Sequence, residues 1–282
     1  MVLPVDLAVL VPCLVLTGLC GGFLAGLLGV GGGIVVVPIL YHVLGLFDVD
    51  PSLRMQVAVG TSLATIIPTS IISARSHWGR GGVDRALLCR LGPMTLIGVL
   101  AGTWGASRVS GPALVAVFAG VGFLVAIKMA RGPDAFIIAP SLPGRSGTAL
   151  IGAMIGGVSA MMGIGGGTLT VPVLSLFRYP IHLAVGTSAA LGLVISLVGA
   201  VGFVVIGWGN PRVPPFSFGY VNLAGFLAIA PSAMLAAPWG ARAAHALSRD
   251  VLSRAFAFFL FLTSIKLAYG LLLAGFSTGS GN

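Results

Sequence analysis

The sequence predicts an all-α polytopic membrane protein made of two inverted-topology repeats, each opening on a Gly-broken helical hairpin and continuing through three spans. Three observations predict this: composition, an internal repeat and the distribution of basic residues. Of 282 residues, 57% are hydrophobic and only 7% charged, and the mean hydropathy is +1.10. Soluble domains carry about 25% charged residues, so a soluble globular domain and a disordered chain are both excluded. The 43 glycines keep no period of three, which excludes a collagen-like repeat. A net charge of +9 in a soluble protein would suggest nucleic acid. Here it reads as basic loops beside a lipid bilayer, with no nucleic-acid partner expected.

The first half, residues 1–131, opens on an apolar run over 7–47, twice what one crossing of about 20 residues needs. It contains Gly18, Gly22 and Gly26, then Gly29-Val-Gly-Gly-Gly33 running into Pro38. Three consecutive glycines make poor helix and support a sharp reversal. The run can therefore be one long helix or a hairpin whose arms return to one side. Spans follow near 56–74, 86–107 and 112–130. A Pro/Gly/Arg-rich loop over 132–146 separates the halves. The second half, 147–282, repeats the pattern, with runs at 147–177, 182–208, 219–244 and 251–274. Gly152, Gly156, Gly163 and Pro172 match Gly18, Gly22, Gly29 and Pro38 at one offset. Ala184-Val-Gly-Thr-Ser188 matches Ala58-Val-Gly-Thr-Ser62, Trp239-Gly-Ala241 matches Trp104-Gly-Ala106, and Ser264-Ile-Lys266 echoes Ala126-Ile-Lys128.

Loop charge decides between crossing and returning. If both Gly-broken runs return, one side collects Arg75, Arg80, Arg85, Arg90, Lys128, Arg131, Arg145, Arg178, Arg242, Arg249 and Arg254. The other keeps Arg54, Arg108, Arg212 and Lys266. The returning arrangement obeys the positive-inside rule. It predicts a bacterial plasma (inner) membrane protein with both termini extracytoplasmic and the two halves inverted, a transporter architecture. The N-terminus has no basic start or cleavage site of a signal peptide.

The Gly-rich breaks carry the clearest chemistry. A helix starting after Gly31, Gly32 and Gly33, or after Gly165, Gly166 and Gly167, presents unpaired backbone N–H groups and about half a positive charge. Such ends bind anions. Thr61, Ser62, Thr187 and Ser188 would add hydroxyl donors from the neighbouring spans. The competing reading is helix packing by small residues, which is preferred for Gly18, Gly22, Gly26, Gly152 and Gly156. There is no glutamate, and the six aspartates (Asp6, Asp48, Asp50, Asp84, Asp134, Asp250) fall at termini or in loops. Carriers of cations or protons usually place a carboxylate inside the membrane, so a small anionic substrate is expected.

No catalytic, metal or nucleotide motif is present. No enzyme activity and no cofactor are expected, and GVGGG lacks the strand–turn–helix context of a dinucleotide fingerprint. Cys13, Cys20 and Cys89 form no CxxC pair and read as packing residues. His42, His77, His182 and His245 read as interfacial polar residues, Lys128 and Lys266 as snorkelling ends. Arg75, Arg80 and Arg85 read as topology determinants that can also concentrate anions.

Gly26-Leu-Leu-Gly29-Val-Gly-Gly-Gly33 into Pro38, Gly163-Ile-Gly-Gly-Gly167 into Pro172, and the two Val-Gly-Thr-Ser stretches together resemble the sulfite exporter TauE/SafE family. The resemblance covers nearly the whole chain; Ala160 stands where Gly26 predicts glycine. It implies export or uptake of sulfite, thiosulfate, a sulfonate or a related organic anion; separately, an inside-negative potential favours export. A carrier or channel for a non-sulfur organic anion and a non-transporting membrane assembly protein remain alternatives, and oligomeric state is left open.

Overall fold

The computed structural model describes residues 4–28, 31–132, 136–246 and 249–279; Gly29, Val30 and Asp134, named above, lie outside the described residues. The long opening run is broken as expected, into α1 (Pro4–Leu28) and α2 (Gly33–Leu46). The spans α3 (Pro51–Gly79), α4 (Arg85–Arg108) and α5 (Gly111–Ala130) follow. The second half gives α6 (Arg145–Met162), α7 (Gly166–Ser175), α8 (Ile181–Gly207), α9 (Leu223–Ala246) and α10 (Arg249–Gly279). One departure is small: the run expected to begin at 219 starts with a two-residue hairpin, β1 (Ser217–Phe218) paired with β2 (Val221–Asn222). Gly219 turns it with φ near +55°, and α9 begins directly after. The protein is an all-α polytopic membrane protein. Helices α3, α4, α5, α8 and residues Leu223–Gly240 of α9 are long and apolar enough to cross a membrane.

Local chemistry sets the helix ends. Asp50 caps α3 by accepting from the Ser52 N–H, with Pro51 at the first position, and Asp84 caps α4 by accepting from the Leu87 N–H at 3.0 Å. Helices α2 and α7 differ: the cap residue of each is a glycine, Gly32 or Gly165, and no side chain caps the helix start.

The helices pair across the halves. α1 packs on α9, α6 on α4, α3 on α8, and α5 on α10. Small residues set these contacts. A Cβ at Gly18 or Gly22 would fall on the backbone of Ile229 or Ala233 in α9, and one at Gly152 or Gly156 on the backbone of Leu91 or Thr95 in α4. These four glycines pack helices, as their spacing predicts. Gly26 lines the cavity described below. Lys128 is also not at a surface: it is buried on α5, while its sequence counterpart Lys266 is exposed. The buried core, including Ile34, Val37, Val59, Leu63, Phe118, Ile164 and Phe203, sits around the two Gly breaks.

Candidate functional site

The two breaks meet at the centre. Gly31 and Gly32 adopt φ of +79° and +72°, and Gly163 +67°, left-handed values that a residue with a Cβ adopts only under strain. Contact is backbone to backbone. A Cβ at Gly33 would stand 2.5 Å from the Gly163 carbonyl oxygen, and one at Gly31 would lie 3.4 Å from the Gly165 Cα. A side chain at Gly33 would wedge the breaks apart, whereas one at Gly32 would meet Gly21 of α1 and one at Gly163 would meet Val59 of α3.

A cavity of about 260 Å³ lies beside the crossing. Gly31, Gly166 and Gly167 contribute to its lining, so the uncapped start of α7 faces it. Ser188 and Gly192 of α8 and Ala25 and Gly26 of α1 also line it. One polar wall comes from α3: Thr69, Ser70, Ser73, Ser76, His77 and then Arg80. Ala237, Pro238 and Arg242 of α9 also line it, and no carboxylate is among the described lining residues.

Hydroxyl bonding separates potential ligands from structural groups. Ser70 is 4% exposed yet lines the cavity, and it makes no hydrogen bond within the protein. Its Oγ would lie 3.4 Å from a Cβ at Gly192, at the α7–α8 contact. Ser73 and Ser76 are also without internal partners. By contrast, Thr69 donates to the Ile66 carbonyl and Ser188 to the Val185 carbonyl.

Of the residues expected to form the site, Gly31, Gly166, Gly167 and Ser188 come together on the cavity wall. Gly32, Gly33 and Gly165 lie behind it in the crossing. Ser62 donates to the Gly163 carbonyl at 2.7 Å and ties α3 to the second break. Thr61 and Thr187 sit elsewhere, in matching roles. Thr61 Oγ1 accepts the Asn222 N–H at 2.9 Å and Thr187 Oγ1 the Asp84 N–H at 3.0 Å. Asn222 and Asp84 in turn accept from Gly225 and Leu87 near the starts of α9 and α4. The two Val-Gly-Thr-Ser stretches thus hold the starts of the opposite half's helices.

Sequence reasoning missed Ser70, Ser73, Ser76, His77, Arg80 and Arg242. The signal was present as a polar stripe at 69, 70, 73, 76, 77 and 80, one face of an otherwise apolar helix. Assigning His77 to an interface and Arg80 to topology hid it.

Arg80 is held at the mouth by its loop. A Cβ at Gly186 of α8 would fall on the Gly82 carbonyl, Thr187 takes the Asp84 N–H, and the Tyr179 hydroxyl donates to the Asp84 carboxylate. That hydroxyl, then the Leu87 N–H, holds the Asp84 carboxyl below the usual carboxylate range. Burial and then Asp84 push the Tyr179 phenol upward.

Comparison with known proteins matches this architecture to a described group. A family model described as "Sulfite exporter TauE/SafE" matches residues 14–267. The chain belongs to the sulfite exporter TauE/SafE family. A Haemophilus influenzae relative, named a probable membrane transporter protein, is 35% identical over 252 residues, covering 89% of this chain and 96% of its own. Relatives of the same description from Methanocaldococcus jannaschii and Bacillus subtilis are each 28% identical over 221 residues. They cover 77% and 70% of this chain, and 80% and 79% of their own lengths. No solved structure matches. This TauE/SafE member is a membrane transporter.

Proposed function

We propose that the protein moves a small sulfur-containing anion, such as sulfite, thiosulfate or a sulfonate, through the cavity beside the crossed Gly breaks, more readily outward. The observation that carries this reading is the cavity lining itself. Donors converge there, with the α7 N-terminus, the free hydroxyls of Ser70, Ser73 and Ser76, and Arg80 and Arg242 on one cavity and no carboxylate opposing them. An oxyanion accepts several hydrogen bonds per oxygen and suits such a cage. "Sulfur" rests on the family description. Outward movement is favoured because an inside-negative potential contributes about 2.3 kcal/mol per charge per 100 mV.

We take the two halves as inverted repeats working by alternating access. The exchanged pairings support this: α1 on α9 answers α6 on α4, and α3–α8 and α5–α10 pair like with like. Arg80 and Arg242, both assigned to the cytoplasmic side by the positive-inside rule, share the cavity mouth. On this reading the cavity opens toward the cytoplasm of an inner membrane, with both termini outside. An organic anion is a second reading, because Ala25, Ile72, Ala189, Ala237 and Pro238 give the cavity an apolar wall.

Liposome flux of sulfite, thiosulfate, methanesulfonate, sulfate and acetate by purified protein tests the proposal. Saturable flux of a sulfur anion, reduced in Ser70→Ala protein of unchanged thermal stability, is the expected result. Flux of acetate alone would leave the cavity and remove sulfur. Flux of none by folded protein would overturn the reading.

A further inference from the structure

We propose that His77 is a proton-dependent anion switch: protonated, it joins Arg80 and Arg242 in holding the anion in the cavity, and neutral, it weakens that hold. This rests on the cavity being an anion path. Among the described residues, the cavity lining contains three ionisable side chains, His77, Arg80 and Arg242. Arginine stays charged throughout the physiological range, whereas histidine is the side chain whose ordinary titration falls between pH 5 and 8. Any protonic control exerted from within the lining therefore falls to His77.

The surroundings suit such a switch. His77 and Arg80 are three residues apart and share one face of α3, in line with Ser73 and Ser76 on the same wall. Arg242 enters from α9. The lining residues contributed by α1, the first break, α7 and α8 are Ala25, Gly26, Gly31, Gly166, Gly167, Ser188, Ala189 and Gly192, none of them titratable. The nearby loop carries Asp84, but that carboxylate is engaged by the Tyr179 hydroxyl and the Leu87 N–H. Among the described residues, no lining carboxylate neutralises a protonated His77, and an arriving anion takes that role.

Linkage makes the effect reciprocal: if protonation favours anion binding, anion binding draws a proton from solvent onto the imidazole by the same factor. One anion and one proton would then occupy the cavity together. Such joint loading would need no membrane-embedded carboxylate.

The test uses full-length protein in nanodiscs with sodium methanesulfonate, whose charge is constant between pH 5 and 8, and with chloride as a second probe. Binding is measured at pH 6 and pH 8, with proton uptake followed in weak buffer. Wild type is expected to bind at least fivefold more tightly at pH 6 and to take up protons on binding. His77→Gln should bind equally at both pH values and take up none, whereas His77→Lys should bind at pH 8 as wild type does at pH 6. A His77→Gln protein that keeps the wild-type pH dependence would overturn the switch while leaving the anion path intact. Failure of wild type and His77→Lys to bind either probe at any pH would overturn both.

Discussion

At the residue scale, hydroxyl groups of identical chemistry divide by what they touch. Ser70 is buried, free and aimed at the cavity, so Ser70→Ala should lower anion flux roughly ten- to a hundredfold, the loss expected for a hydrogen bond of about 1.5–3 kcal/mol to a charged group. Thr61 and Thr187 instead accept backbone N–H groups under the starts of α9 and α4. Replacing either with valine leaves a buried donor unmet, at about 1–3 kcal/mol. The expected outcome is a lower Tm in detergent, with flux per folded molecule changed far less than in Ser70→Ala. Asp84 adds a pH signature. Its carboxyl is held below its unfolded value, so its stabilising contribution is fully present above about pH 4 and is lost as pH falls through the lowered folded value. Thermal unfolding between pH 3 and 7 should show a shallower acid limb in Asp84→Asn, together with a lower Tm at pH 7.

At the element scale, the broken opening runs are the feature most legible from sequence. Three glycines before a helix-length apolar segment specify a break, and left-handed φ at Gly31, Gly32 and Gly163 explains the residue type there. Their mutual contact was not legible, because a repeat read along the chain does not say that its two copies touch. Gly33→Ala would place a methyl 2.5 Å from the Gly163 carbonyl and 2.7 Å from Ile66 Cδ1. Gly163→Ala adds backbone strain to a contact at Val59. Each should destabilise by about 1–3 kcal/mol, read as reduced yield of monodisperse protein and a lower Tm. Gly26 continues the small-residue rhythm of Gly18 and Gly22 and lines the cavity, where α1 reaches the break. The cavity wall itself was legible in principle. Its serines lie on one face of α3, in line with His77 and Arg80, but sequence reasoning did not take them up.

At the scale of the whole molecule, one prediction concerns sidedness. With Cys13, Cys20 and Cys89 replaced by serine, Ser73→Cys and Ser76→Cys should react with a membrane-impermeant thiol reagent added from the cytoplasmic side, and an added small anion should slow the reaction. Labelling only from the opposite side would reverse the assigned orientation. The fold class was readable from composition. Which helix covers which was not, since every small-residue face looks alike until a partner is specified. That pattern of partners has a consequence for biosynthesis. The glycine face of α1 is covered by α9, which leaves the ribosome roughly 200 residues later, about 10–40 s at ordinary elongation rates. Throughout that interval α1 must wait in the bilayer with its contact face open, beside an insertion machinery that has not yet delivered its partner. The first half therefore has no finished form of its own, and a chain interrupted before α9 leaves α1 as a substrate for membrane quality control.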